Sequence, residues 1–269
     1  MDIRLENVSY IYPRCDKTAL DGVSLSFAEG SITAIMGESG SGKSTLLRLL
    51  NALRLPSSGD VFFDGRSVGE WERKEIRKKV GLVFQYPEDQ LFEKSVLDDV
   101  AFGPGNMGKS ADEAVTAAES ALRTVGIEED KWKRSPLLLS GGEKRRVALA
   151  GILSLEGEVL VLDEISSGLD GRGKDEVFSI LTSLRAEGKT IIFTTHDPEE
   201  AAEYADEVVL LEKGKVRVKG NIRDVYNCNP SLMTQGAKLR AMLEERGITV
   251  KGDMDSISDA AGMLSALLT

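Results

Sequence analysis

The run Gly37-Glu38-Ser39-Gly40-Ser41-Gly42-Lys43-Ser44, with Thr45 beside it, has the residue types needed to hold phosphate. Its glycines let backbone N–H groups converge, Lys43 adds a charge that reaches terminal phosphates, and the Ser44 hydroxyl suits a Mg2+ ion. The apolar run Ile32–Met36 precedes it, and leucines at 46, 47, 49, 50 and 53 follow. The loop is therefore expected at a helix N-terminus, where free N–H groups and the helix dipole favour anions. A second candidate is Val159-Leu160-Val161-Leu162-Asp163-Glu164, an apolar strand ending in two carboxylates. In Mg2+-assisted phosphoryl transfer, Asp163 would hold the metal through water, and Glu164 would orient or deprotonate the attacking water. A glycine-rich turn alone, or an acidic loop alone, is common in structural roles. The loop alone would not separate kinases, GTPases and transport ATPases; the ordered pair points to Mg2+-assisted phosphoryl transfer from a nucleoside triphosphate.

These groups need elements that bring them together. Strand-like runs are expected at Ile3–Tyr10, Val23–Phe27, Ser31–Met36, Val61–Phe63 and Val80–Phe84, set apart by turn signals such as Glu29-Gly30 and Asp64-Gly65. The leucine periodicity predicts a helix over Lys43–Leu53. From about residue 96 to 155 strand signals vanish and helical spacing dominates, in Ala111–Val125 and Glu143–Leu155. The alternation then returns, with strands at Val159–Leu162, Thr190–Thr194 and Val208–Leu211 and helices at Gly171–Arg185 and Pro198–Tyr204. An α/β pattern interrupted by an all-helical block predicts a helical insertion in a mostly parallel sheet. The tail adds helical stretches at Met233–Arg246 and Ile257–Leu268.

Leu139-Ser140-Gly141-Gly142-Glu143 makes the reading specific. Ser140 and Glu143 have capping-box spacing, which opens many ordinary helices. Two glycines in a first turn cost helix stability, however, and make better sense where a phosphate must approach closely. The segment resembles the signature motif of ABC transporter ATPases and lies upstream of Asp163-Glu164, as in that family. The resemblance runs from residue 1 to about 225. It implies an α/β fold: an ABC ATPase nucleotide-binding domain with a RecA-like P-loop core, an N-terminal antiparallel β subdomain, an inserted α-helical subdomain and a short helical C-terminal extension. The corresponding boundaries are 1–228 for the ATPase domain, with the insertion at about 86–156, and 229–269 for an extension that would serve dimerisation.

The same resemblance assigns further residues. Tyr12 corresponds to the aromatic that stacks on adenine, and Gln85 to the glutamine that contacts Mg2+ and faces the membrane subunit. Asp170, in Ser167-Gly-Leu-Asp170, corresponds to the loop coupling the two sites of a dimer, and His196, the only histidine, to the γ-phosphate sensor. Taken alone, Tyr12 also reads as a packed strand residue and His196 as a structural histidine. The implied dimer is head to tail, so Ser140, Gly141 and Gly142 of one chain close on ATP held by the other. One departure is Ile165, where the family usually has proline after the catalytic glutamate, and Gly105 is a smaller one. Altered loop packing is expected rather than lost chemistry.

Phe84-Gln-Tyr-Pro-Glu-Asp-Gln-Leu-Phe92 and Asp98-Asp-Val-Ala-Phe-Gly-Pro104 are similar to the ATPases of energy-coupling factor (ECF) importers, which take up vitamins or transition-metal ions such as cobalt and nickel. That branch implies a second ATPase subunit, either identical or a paralogue, a transmembrane coupling subunit and a small membrane substrate-binding subunit as partners. It places the chain peripherally on the cytoplasmic face of the membrane, without direct contact with the solute. The other importer reading is the ATPase of a binding-protein-dependent system, for example for amino acids. A repair ATPase would split its motifs around a long coiled coil, yet fewer than a hundred residues separate Lys43 from Ser140. A net charge of −10 and a pI near 4.9 argue against nucleic acid as a partner. No apolar run approaches the roughly 20 residues that span a bilayer. The start Met-Asp-Ile-Arg-Leu-Glu lacks signal-peptide character, and Cys15 and Cys228 lack metal-ligand spacing, so a reducing cytosol is expected.

Overall fold

Strands such as Ile32–Met36 and Thr190–Thr195 have no polar face, so they must be covered on both sides, as in parallel sheets flanked by helices. The computed structural model, which describes residues 1–14, 17–247, 250 and 252–267, arranges them so. Cys15 and Leu268 lie outside the described residues. The strands are β1 (Ile3–Ile11), β2 (Thr18–Phe27), β3 (Ile32–Met36), β4 (Ser58–Phe63), β5 (Arg66–Ser67), β6 (Val80–Val83), β7 (Val159–Leu162), β8 (Thr190–Thr195), β9 (Glu207–Glu212) and β10 (Lys215–Gly220). The helices are α1 (Lys43–Leu50), α2 (Arg73–Lys79), α3 (Val96–Asn106), α4 (Ala111–Thr124), α5 (Gly141–Leu153), α6 (Gly171–Ala186), α7 (Pro198–Tyr204), α8 (Ile222–Cys228), α9 (Gln235–Glu245) and α10 (Ile257–Leu267).

A six-stranded sheet runs in the order β10-β9-β3-β8-β7-β6, parallel except for β10, which pairs antiparallel with β9. A four-stranded antiparallel sheet, β2-β1-β4-β5, is formed by the N-terminal segment. Two cores result. One joins the antiparallel sheet to α1 and one face of the parallel sheet, through Leu5, Val61, Leu46, Leu50, Ile35 and Val161. The other joins the opposite face to α3–α6, through Val100, Leu122, Val147, Leu162, Phe178 and Phe193. The helical insertion therefore shares its core with the sheet that carries the site.

Two helix ends differ from the periodicity. α1 stops at Leu50, not Leu53: Asn51 turns its amide to the Val80 carbonyl, and Ala52 sits in the left-handed region at φ 51°. α5 begins at Gly141 and ends at Leu153, where the Ser154 hydroxyl turns back onto the Val100 carbonyl at 3.0 Å and Glu156 adopts φ 59°. In both places the helix stops where a side chain bonds the backbone carbonyl of a distant segment.

Candidate active site

β3, β8, β7 and β6 are parallel neighbours, so their carboxyl ends lie along one edge. That edge carries Gly37 after β3, His196 after β8, Asp163 after β7 and, one residue beyond β6 and Phe84, Gln85. Residues scattered over 160 positions of sequence thus meet because the crossovers are parallel.

The loop between β3 and α1 needs its glycines for two physical reasons. Gly37 and Gly42 have φ of 149° and 110°, which side chains rarely adopt. A Cβ on Gly37 would sit 2.2 Å from the Leu211 carbonyl oxygen, and one on Gly42 would sit 2.6 Å from that of Ala19. The Ser41 N–H donates to the Glu38 carbonyl, and the Gly214 N–H donates to the Ser41 carbonyl, so the β9–β10 turn braces the loop. The Ser41 hydroxyl is buried without a hydrogen-bond partner among the described residues. Lys43 is buried and its ammonium donates to the carbonyls of Gly37 at 2.7 Å and Glu38 at 3.2 Å. Burial pulls its pKa down from the ordinary lysine range, against the pull of Glu164 and Asp163.

Glu164 gathers the other groups. It sits in the left-handed region at φ 47°, a strained conformation for a non-glycine residue. Gln85 Nε2 donates to its Oε2 at 3.1 Å, while Lys43 Nζ and His196 Nδ1 each lie 3.9 Å from its Oε1. His196 is 71% exposed and lines a neighbouring cleft together with Gly37, Glu38 and Ser41. The Tyr12 hydroxyl bonds Thr45 Oγ1 at 2.9 Å and accepts from Arg48 at 3.1 Å, which fastens its ring beside α1. Tyr12, Ser39, Gly40, Gly42, Ser44 and Gln85 all border this cleft, together with Lys43, Thr45 and Glu164.

Ser140, Gly141, Gly142 and Asp170 line a different cleft, which shares no residue with the first. Ser140 accepts from the Glu143 N–H and Glu143 accepts from the Ser140 N–H, so the expected capping box is formed. Bonds from Lys131 and Ser140 hold the Glu143 carboxyl at a pKa of about 2. A Cβ built on Gly141 or Gly142 meets nothing within 4 Å, so neither glycine is required by its own chain. Asp170 caps α6 by accepting from the Gly173 N–H at 2.8 Å.

Residues 20–167 match the family described as ABC transporter. The chain is 47% identical over 233 residues to the "Energy-coupling factor transporter ATP-binding protein EcfA2" of Streptococcus agalactiae, covering 84% of this chain and 83% of that one. The chain belongs to the ABC transporter ATPases. A protein of the same printed name from Streptococcus pyogenes is 43% identical over 264 residues, covering 93% and 94%. The ABC ATPase fold is shared with cbiO1 of Clostridium perfringens, described as part of the transporter complex cbiONQ, at a TM-score of 0.77, 37% identity and coverage of 91% and 96%. It is also shared with the cassette MJ0796, solved as a dimer bound to ADP and Pi, at a TM-score of 0.72, 29% identity and coverage of 82% and 99%. An ABC ATPase binds ATP and couples its hydrolysis to transport.

Within this ABC ATPase, sequence reasoning missed the residues that hold the acids in place. The buried Thr194 hydroxyl donates to Asp163 Oδ1 at 2.8 Å and accepts from the Glu164 N–H at 2.9 Å, so one side chain orients both carboxylate residues. Glu200, also buried, accepts from Ser166 at 2.9 Å and Thr195 at 2.6 Å and pairs with Lys174 at 2.7 Å. The only signal for them was a threonine pair ending an apolar strand directly before the sole histidine.

Proposed function

We propose that the chain is the ATP-hydrolysing subunit of an energy-coupling factor importer for a vitamin or a transition-metal ion such as cobalt or nickel. It works head to tail with a second ATPase chain, on the cytoplasmic face of the membrane, docked on a transmembrane coupling subunit with a small substrate-binding subunit beside it. The observation that carries the reading is the separation of the two half-sites: Lys43 and Glu164 line one cleft, and Ser140–Gly142 and Asp170 line another. The open glycines at the start of α5 then meet ATP held by the partner. Among the described residues no helix is long and apolar enough to cross a membrane, so the membrane role falls to partners. The names of the relatives and the Phe84–Phe92 stretch support the branch.

Ser44, Gln85 and Asp163 offer hydroxyl, amide and carboxylate oxygens, the hard donors that Mg2+ prefers. Among the described residues no group of three or more His, Cys, Asp or Glu side chains could hold a metal alone, in keeping with an ion shared with substrate phosphates. Bound there, Mg2+ supplies charge neutralisation on the phosphates. Lys43 then binds the terminal phosphates, Glu164 takes the proton of the attacking water, and His196 orients the γ-phosphate. The tail from residue 229 packs back onto its own chain, with Thr234 bonded to Tyr226 and the Gln235 N–H bonded to Glu199, and leaves Met242 and Ile257 exposed for the second ATPase.

Capture of the tagged full chain from native membranes tests this. We expect a second ATPase chain, a membrane coupling protein and a small integral membrane protein to come with it. Recovery of an extracytoplasmic or lipoprotein receptor instead would overturn the branch assignment.

A further inference from the structure

Arg145 lies five residues after Ser140 on α5 and does not line the cleft of Lys43 and Glu164, yet its side chain is only 4% exposed. A guanidinium so buried persists only if its N–H groups are paired. Its Nε donates to Glu88 Oε2 at 3.1 Å and its Nη2 to Glu88 Oε1 at 2.6 Å, the two-pronged geometry that arginine alone provides. Its Nη1 donates to the carbonyls of Ile165 at 2.9 Å and Ser167 at 2.6 Å. Burial would raise the Glu88 carboxyl, but the bonds to Arg145 outweigh it and hold the pKa below the ordinary glutamate range.

These bonds close a circuit. Glu88 stands three residues beyond Gln85, in a short 3-10 turn after Tyr86, which is held at φ 53°. Gln85 bonds Glu164, and Ile165 follows Glu164 directly. Ile165 is itself buried in the core that contains Val147 of α5. Glu164, Gln85, Glu88, Arg145 and the 165–167 backbone therefore form one ring of covalent and hydrogen-bonded links. Ser140 and Asp170 hang from its far side. A helix rises 1.5 Å per residue, so Ser140 lies only about 7.5 Å along α5 from Arg145 and a tilt of the helix there carries it along.

We propose that Arg145 is a positioning residue that makes the Gln85 loop, the start of α5 and the Ser167–Asp170 loop move as one unit, so that ATP seated in a protomer's own cleft sets the edge it presents to the partner's ATP. The proposal rests on the head-to-tail reading. It assigns to the Ile165 carbonyl a role that proline at that position would equally serve, which accounts for the tolerated departure.

The test uses the full chain with Glu164→Gln, which retains ATP, and reads the ATP concentration that converts monomer to dimer by light scattering. E164Q/R145K is expected to need roughly tenfold more ATP than E164Q, the scale of an ordinary coupling between sites, while binding of a fluorescent ATP analogue stays within about twofold. E164Q/E88Q, altered near the surface, is expected to shift the same way by a smaller factor. Closure of E164Q/R145K at the same ATP concentration as E164Q would overturn the proposal alone. So would loss of analogue binding in both double variants, since Arg145 would then only hold the fold together. E164Q remaining monomeric at saturating ATP, both alone and with the second ATPase chain captured from native membranes, overturns the head-to-tail reading and the proposal with it.

Discussion

In the proposed function Lys43 and Glu164 divide the chemistry between charge and proton transfer. Lys43 is held by the Gly37 and Glu38 carbonyls of the phosphate loop, so Lys43→Ala removes the cation that the proposed function sets on the terminal phosphates. ATP binding, read by equilibrium dialysis, should be lost; undiminished binding would refute the assignment. Glu164→Gln keeps the shape of the side chain and its place beside Gln85 but removes the base. Nucleotide binding should persist while turnover nearly vanishes, and wild-type turnover would move the base elsewhere. Thr194→Val is the sharper residue-scale case. It replaces the hydroxyl that bonds both Asp163 Oδ1 and the Glu164 N–H by a methyl group of similar size. Loss of a group that orients catalytic ligands typically costs about 10–100-fold in activity. Steady-state ATPase assays should therefore show kcat falling by that order, with the melting temperature lowered by roughly a few degrees because two buried hydrogen bonds are lost.

At the scale of elements, α5 is the test case, because its first turn serves both the fold and the partner. Its cap rests on Ser140, Glu143 and Lys131. The Glu143 carboxyl titrates near 2 in the folded chain and near ~4.3 when unfolded. Its folded pKa is depressed, so its contribution is complete above ~4.3 and is lost as pH falls toward 2. Glu143→Gln keeps the capping geometry without the charge. The difference in melting temperature between wild type and this variant should be largest near neutral pH and shrink steadily below pH ~4.3. A constant difference would mean the charge is idle. Ser140→Ala should cost about 1 kcal/mol of stability without nucleotide, the ordinary worth of an N-cap.

How far such elements can be read in advance depends on what sets their ends. β7 and α7 run as apolar spacing and the Asp197-Pro198 start dictate, because nothing competes with those signals. α3 is hidden by Gly103, Pro104 and Gly105, and shows itself only through the Ser95 cap on the Asp98 N–H. β10 alternates Lys-Val-Arg-Val-Lys at an exposed edge and owes its place to pairing with β9. The phosphate loop, Asp163-Glu164 and Ser140–Glu143 were legible because chemistry fixes their residue types. Thr194, Glu200 and Arg145 were not, because ordinary residues acquire their roles only when parallel crossovers bring β8, α6, α7 and the 165–167 loop against one another.

For the whole molecule, the decisive observation is that Lys43 and Glu164 line one cleft while Ser140–Gly142 and Asp170 line another. The central claim is that each active site is completed by a second chain. It is tested most directly by mixing two inactive variants, Lys43→Ala and Ser140→Arg, and measuring ATP hydrolysis against the wild-type chain under the same conditions. In a head-to-tail pair, the mixed dimer unites both lesions in one site and leaves the other intact. Mixing should therefore restore hydrolysis that neither variant shows alone. A mixture as inactive as its components, beside an active wild type, would place both half-sites in one chain and contradict the account.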